Sequence, residues 1–238
     1  MSGESAQVCV VIPVHNGEQF VCNAIDSALA QQGCSIDVIV VDNNSADLTS
    51  EVVAERYGSL VKLVKESRPS AAIARNVGAR LADSEWLAFL DADDLWMPEK
   101  LVKQIRMAQQ GADILFTFGE EFHSEELDAD QRARFVLRPQ PYALLTPSSM
   151  FLKRETFQSV GEFPEVPIGE FIAWQGWARE LGLSEYVLSE VLVKRRIHAH
   201  NMTRSVSNLA GYPMAAKWLL DKCRLRASEL AQTVEQCQ

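Results

Sequence analysis

The stretch VCVVIPVHNGEQFVCNAIDSALAQQG (residues 8–33) decides how the rest of the chain is read. Its first seven residues form an unbroken apolar run rich in β-branched side chains. A strand exposed on one face would alternate apolar with polar, so this run predicts a strand buried on both faces, the habit of parallel sheets. Apolar residues then change period. Phe20, Ala24, Ile25, Ala28 and Leu29 recur at helical spacing, and Gly33 is placed to end the helix.

Working outward, the same unit repeats. IDVIVVDNNS (residues 36–45) reads as a second buried strand, and ADLTSEVVAERYG (46–58) as a helix that Ser45 or Asp47 can cap. VKLVKE (61–66) and SAAIARNVGARLA (70–82) give a third strand and helix. EWLAFLD (85–91) is a fourth strand, a helix runs from about Pro98 to Gln110, and ADILFTFG (112–119) is a fifth strand. Strands alternating with helices predict an α/β, Rossmann-like, mostly parallel sheet flanked by helices. EEFHSEELDADQRARF (120–135) is highly charged without a clear strand and reads as a loop or surface helix. A helix begins near Lys153, another covers GEFIAWQGWARELGL (169–183), EYVLSEVLVKRRIH (185–198) contains a strand, and a helical segment closes the sequence.

The 238 residues suffice for one large α/β domain, and 47% hydrophobic residues supply its core. A net charge of −9 argues against nucleic acid as partner. No apolar run is long enough to span a membrane, and the polar start lacks a signal region. Five cysteines (Cys9, Cys22, Cys34, Cys223, Cys237) without C-x-x-C spacing read as reduced thiols of a cytoplasmic protein.

In such sheets ligands bind beyond the carboxyl ends of the strands. Three of these ends carry polar residues: His15 and Asn16, then 42–45, then 91–94. Asp91, Asp93 and Asp94 crowd the tip of a buried strand. In an extended segment Asp91 and Asp93 point the same way, and two such carboxylates suit a hard divalent cation, Mn²⁺ or Mg²⁺. The same acids also fit an acidic turn in which Asp94 starts the next helix. Asn16 and Glu18 likewise suit the start of the first helix.

Together VVIPVHNGEQFVCNAIDSALAQQ, IVVDNNSADLT, ARNVGARLADSEWLAFLDADDLWMPEKL and KRRIHAHNMT resemble the family 2 glycosyltransferases, from Val8 to about Thr203. The resemblance implies the GT-A fold. It also implies transfer from a nucleotide diphosphate-sugar, a UDP-sugar first, with inversion and a D-x-D-bound metal ion. Residues 1–119 would form the nucleotide-sugar half, 120–205 the acceptor half of the same domain, and 206–238 a C-terminal helical segment. The implied nucleotide-sugar residues are Pro13, Val14, His15, Asn16, Glu18, Asp42, Asn43, Arg75, Asp91 and Ala92, with Asn76 nearby. Asp93, Asp91 and His198 are the implied metal ligands. Asn43 stands where the family has a second acid.

Glu170 is the implied catalytic base. Phe171 and Ala173 occupy positions where a following acid is expected. Of Arg195 and Arg196, which alternate on a strand, at most one faces the site. Trp174 and Trp177 fit either sugar stacking or the core. The charged segment 120–138 is a candidate lid. The acceptor (glycan, lipid-linked glycan, small molecule or peptide) is not specified. The alternative is a nucleotide-sugar-binding or partner module with impaired catalysis.

Overall fold

The computed structural model describes residues 6–199, 201 and 211–236. His200, Met202, Thr203 and Cys237 lie outside them. The elements follow the βα rhythm at first: β1 (Gln7–Val14), α1 (Val21–Leu29), β2 (Ser35–Asp42), α2 (Thr49–Tyr57), β3 (Lys62–Lys65), α3 (Ala71–Arg80) and β4 (Trp86–Phe89). Then come β5 (Leu95–Trp96), α4 (Lys100–Ala108), β6 (Ile114–His123), α5 (Ala129–Arg134), β7 (Tyr142–Leu144), β8 (Phe151–Lys153), α6 (Arg154–Val160), α7 (Glu170–Glu180), β9 (Glu185–Ile197) and α8 (Tyr212–Gln236).

One nine-stranded sheet runs in the order β3-β2-β1-β4-β8-β6-β9-β5, with β7 on β6. Strands β3, β2, β1 and β4 are mutually parallel, as are β6 and β9. Strand β8 enters antiparallel between β4 and β6. Both faces are covered, which explains the unbroken apolar run of β1. Val8, Val10, Ile12 and Val14 pack with α1 and α4, whereas Cys9 and Val11 pack with α3, α6 and α7. Gly78 lets α3 lie close to this second face. A Cβ there would meet a Val11 methyl carbon at 2.2 Å. That proximity brings Arg75, one turn earlier, to the carboxyl end of β4.

Several sequence expectations are corrected. The charged segment after Gly119 contains strand: β6 continues through Glu120, Glu121 and Phe122 to His123, paired in register with β9. Its alternation was hidden because both partners carry charges there. Glu120 faces Lys194 and Glu121 faces Arg195 across the strands. Helix α5 follows, closed by a capping box between Asp128 and Gln131. Gly33 lies beyond the end of α1, which is capped by Ala30. Asp94 starts no helix, because α4 begins only at Lys100. Trp174 is core: fully buried, stacked on Phe157, its indole N–H donating to the Gly161 carbonyl at 2.7 Å. Cys9, Cys22, Cys34 and Cys223 are free thiols. No helix among the described residues is long and apolar enough to cross a membrane.

Candidate active site

Three strand ends, of β1, β2 and β4, meet on one rim. The first two are stitched together by hydrogen bonds between residues 15–18 and 43–49. Asn16, at φ 51°, donates its N–H to Ser45 Oγ at 2.9 Å and accepts the Ala46 N–H on Oδ1 at 2.7 Å. Glu18 accepts the Leu48 N–H at 2.9 Å and donates its own N–H to Asp47 at 3.1 Å. These two side chains therefore hold the neighbouring loop and do not cap α1, whose first residues carry no side-chain cap. Ser45 and Asp47 likewise serve this seam, although Asp47 also accepts the Thr49 N–H at the start of α2. The exposed His15 bonds the Asn43 carbonyl at 2.8 Å through Nδ1.

Asp42 and Asn43 are both buried. Asp42 accepts the Ser45 N–H at 3.0 Å and the Ser50 hydroxyl. Asn43 donates from Nδ2 to the Arg68 carbonyl at 2.6 Å and accepts the Ser70 N–H on Oδ1 at 2.6 Å. One amide thus satisfies a backbone acceptor and a backbone donor at once, which an ionised carboxylate cannot do. This is a physical reason for Asn at this position. Pro13 and Val14 are buried in β1, and the Val14 carbonyl accepts the Asn43 N–H at 2.7 Å.

The D-x-D differs from its expected geometry. Strand β4 stops at Phe89, and residues 91–94 turn, with the Asp94 N–H donating to the Asp91 carbonyl at 3.0 Å. In a turn the i, i+2 alternation of a strand no longer holds, so Asp91 and Asp93 face different partners. Asp91 accepts from Arg75 Nη2 at 2.7 Å, and its N–H donates to Ser148 Oγ at 3.1 Å. Asp93 accepts on Oδ2 from His198 Nε2 at 3.0 Å and from Asn201 Nδ2 at 3.3 Å. Ala92 lies between them, partly buried. Among the described residues no three His, Cys, Asp or Glu side chains group into a metal cage.

Arg75 is 5% exposed and bridges two carboxylates. Besides Asp91 it donates from Nη1 to Glu170 Oε1 at 2.8 Å. Burial disfavours its charge, but the two carboxylates more than offset this and hold it cationic. Its Nε is buried without a partner among the described residues. Glu170 opens α7 behind Gly169, whose φ of 83° is left-handed. A Cβ at Gly169 would lie 3.0 Å from the Tyr212 ring and 3.1 Å from Ala215 Cβ, so α8 is seated directly against this turn. Phe171 is buried in the core with Trp174 and Ala178, and Ala173 is buried on the line of Gly169 and Gly176, which α8 covers. An acid at either position would be buried, so Glu170 is the carboxylate that α7 brings to Arg75.

Asp94 is buried and accepts the Arg196 N–H at 3.2 Å. Burial, then the nearby Asp93 and Asp91 charges, push its carboxyl well above the usual range. Of the two strand arginines, Arg196 faces the site. Its Nε donates to the Asp93 carbonyl at 3.0 Å, and its guanidinium lies between the Phe20 and Phe122 rings, 4.9 and 4.7 Å from their centroids. Arg195 faces Glu121. Asn76 turns away from the rim and clamps Phe163 through both amide ends, at 2.9 and 3.0 Å. Ser148 and Asn201 have no assigned part in the sequence reading, and Phe20 enters it only as an apolar helix position. Asn201 left a trace, three residues after His198 in KRRIHAHNMT.

The rim of carboxylates lies beyond the carboxyl ends of the strands, where the resemblance to GT-A glycosyltransferases places the site. Residues 9–162 match glycosyl transferase family 2, and the chain belongs to that family. It is 29% identical over 219 residues to the uncharacterized glycosyltransferase RP339 of Rickettsia prowazekii (strain Madrid E), covering 86% of this chain and 68% of that one. Among solved structures, S. aureus TarS 1-349 in complex with UDP-GlcNAc superposes with a TM-score of 0.68 at 19% identity, over 84% of this chain and 61% of that one. The mannosyltransferase PcManGT from Pyrobaculum calidifontis, in complex with GDP-Man and Mn²⁺, gives a TM-score of 0.64 at 18% identity, over 84% and 59%. The chain thus spans about 60% of the length of these two solved structures. Glu170, His198 and Asn201 all lie beyond the residues matched to the family.

Proposed function

We propose that the chain transfers a sugar from a nucleoside diphosphate-sugar, UDP-linked in the first instance, to an acceptor hydroxyl with inversion at the anomeric carbon. The observation that carries this reading is the arrangement of two adjacent carboxylates with separate partners: Asp91 with the Arg75 guanidinium, and Asp93 with the His198 imidazole. A third carboxylate, Glu170, shares Arg75.

In this reading the nucleoside rests on the seam of His15, Asn16, Glu18, Asp42 and Asn43, beside Pro13 and Val14. Because Asp42 and Asn43 are already hydrogen-bonded within the chain, a base is recognised there by exchange with those bonds or by backbone groups. Asp91 and Arg75 take the sugar and the sugar-proximal phosphate, beside Ala92. An Arg fork suits phosphate oxygens geometrically and electrostatically.

The residues fit a divalent cation. Asp93 Oδ1 carries no hydrogen bond among the described residues, and His198 adds an imidazole nitrogen beside it. Two protein donors suit Mn²⁺ or Mg²⁺, which keep waters and take substrate phosphate oxygens as further ligands. When bound, such an ion neutralises the charge that develops on the departing diphosphate. With Asp91 Oδ1 on Arg75, Asp93 and His198 would hold the ion, and Asp91 could contribute only its other oxygen while keeping that bond.

The reaction is a single displacement. The acceptor oxygen forms a bond to the anomeric carbon as the bond from that carbon to the phosphate oxygen breaks, and the electron pair leaves with the nucleoside diphosphate. Glu170 receives the acceptor's proton. Its Oε2 has no hydrogen bond among the described residues, while Arg75 fixes Oε1. The acceptor approaches along the segment from about Pro147 to Glu170.

A second reading is a nucleotide-sugar-binding module with impaired catalysis. It is favoured by the engagement of Glu170 with Arg75 and by the burial of Phe171 and Ala173. One experiment separates the two readings. UDP is titrated calorimetrically with and without Mn²⁺ into the wild type and Asp93→Ala, and UDP-sugar turnover, including hydrolysis, is then measured. Binding that needs both Mn²⁺ and Asp93, together with turnover, supports the transferase. Binding without turnover supports the module. No UDP binding, with GDP binding instead, overturns the uridine preference.

A further inference from the structure

Asn201 stands four residues beyond the end of β9 and makes more contacts with the Asp93–His198 pair than any ligand role requires. Its Oδ1 accepts the His198 N–H at 2.7 Å, and its own N–H donates to the His198 carbonyl at 3.4 Å. Its Nδ2 donates to the Arg196 carbonyl at 3.2 Å and to Asp93 Oδ2 at 3.3 Å. One side chain thus closes the turn that carries His198, ties that turn back to β9, and orients the carboxylate that His198 faces.

We propose that Asn201 is the positioning residue of the cation grip: it sets Asp93 and His198 in mutual register before the ion arrives. This rests on the reading of Asp93 and His198 as the residues that hold the divalent cation. The chemistry assigns the two Asp93 oxygens different tasks. Both Asn201 and His198 bond Oδ2, which leaves Oδ1 without a hydrogen bond among the described residues. An ionised carboxylate only accepts, so the imidazole donates to it through Nε2 in this state. An ion held by both side chains would engage the imidazole, whereas the Asn201 amide would not compete for it. The Asn201 bond to Oδ2 would therefore keep the carboxylate oriented.

The imidazole has a second support. The Phe20 ring lies 4.8 Å from it, centroid to centroid, and also carries the Arg196 guanidinium on its face. Phe20 lies against the ring, and Asn201 hydrogen-bonds both members of the pair. Outer hydrogen-bond partners of metal-binding side chains typically change affinity by about 10–100-fold when removed.

The test uses Asn201→Ala and Asn201→Ser. The serine hydroxyl keeps an acceptor for the turn but lacks the reach to Asp93. Mn²⁺ is titrated into each protein at saturating UDP, and free Mn²⁺ is followed by its aqueous EPR signal. Near-UV circular dichroism and thermal unfolding are measured alongside, with wild type and Asp93→Ala as references. The expected result is Mn²⁺ affinity weakened about 10–100-fold in both variants, with the near-UV spectrum and cooperative unfolding retained. Wild-type Mn²⁺ affinity in either folded variant, while Asp93→Ala loses it, overturns the role of Asn201 alone. Loss of the native near-UV spectrum together with Mn²⁺ affinity in the serine variant makes Asn201 a general structural residue and also overturns it. If wild type and Asp93→Ala bind Mn²⁺ equally, the cation reading itself fails.

Discussion

Asp42 and Asp93 sit on the same rim, each at or just past the end of a parallel strand, yet their surroundings are opposite. Asp42 is 4% exposed and spends both oxygens on its own chain, on Ser45 and Ser50. The Asp93 side chain is 31% exposed, keeps one oxygen without a hydrogen bond among the described residues, and faces the His198 imidazole. Asp91 resembles Asp93, with its side chain 30% exposed and its partner cationic. The β1–β2 side of the rim is thus a finished piece of structure. The β4–β9 side is held by contacts that an incoming ligand can exchange. A carboxylate's part in a site is set by what already satisfies it, and residue type alone does not reveal this.

The sharpest way to break the comparison is to remove charge from the exchangeable side. Asp93→Ala is expected to abolish Mn²⁺-dependent UDP binding and to lower turnover on the order of 10³-fold, since a Lewis-acid contribution is worth several kcal/mol. Calorimetry and donor hydrolysis report the two effects separately. Glu170→Gln should lower kcat by roughly 10²–10⁴-fold while leaving UDP affinity within about twofold of the wild type. An equal loss in donor affinity would move Glu170 from base to binding residue.

Arg75→Met tests the bridge between Asp91 and Glu170. It leaves two partly buried carboxylates without their shared cation, and a cost of about 3 kcal/mol in unfolding free energy is expected by denaturant titration. A cost near zero would mean that solvent screens the bridge. On the finished side, Asn43→Asp should cost about 1–3 kcal/mol at neutral pH, because a carboxylate then faces the Arg68 carbonyl. That deficit should shrink in acid, where a protonated carboxyl regains a donor. A pH-independent deficit would place its cause elsewhere.

The smallest effect concerns Lys100, fully buried, with its ammonium 2.8 Å from Gln104 Oε1 and 4.0 Å from the centroid of the Trp96 ring. Burial lowers its pKa well below the ordinary lysine value. In the unfolded chain the amine regains that value, so falling pH protonates the unfolded state first. Stability linked to Lys100 is therefore complete above about pH 10.4 and declines as pH falls toward the depressed folded value. The difference in melting temperature between Lys100→Met and wild type should accordingly shift in favour of the variant between pH 10 and pH 7. A difference constant over that range would refute the buried-ammonium account.

Much of the architecture was legible in the sequence because β1, β2 and β4 are buried on both faces. Their apolar runs and the intervening helical periodicity leave few alternatives. The extension of β6 was not legible, because its charges pair with those of β9 about 75 residues later and carry no local period. At the site, the strand-end positions of Asp42, Asp91 and Asp93 could be read from chain order. Their partners could not. The turn at 91–94 separates Asp91 from Asp93, and the choice of Arg196 over Arg195 depends on strand register. Ser148 reaches Asp91 from 57 positions away and leaves no sequence pattern around it. Asn43 was legible as a departure, whereas its double clamp on residues 68 and 70 needed coordinates.

Gly169 carries a constraint of a different kind. Its left-handed backbone disfavours any side chain, and Tyr212 and Ala215 close the space where one would go. Substitution there is blocked twice, once by torsion and once by volume, and relieving either block leaves the other. Freeing space at 212 and 215 would therefore not open position 169, because the torsional block remains. Across a lineage residue 169 should stay glycine whatever happens in the first turn of α8, even though more than forty residues separate the two along the chain.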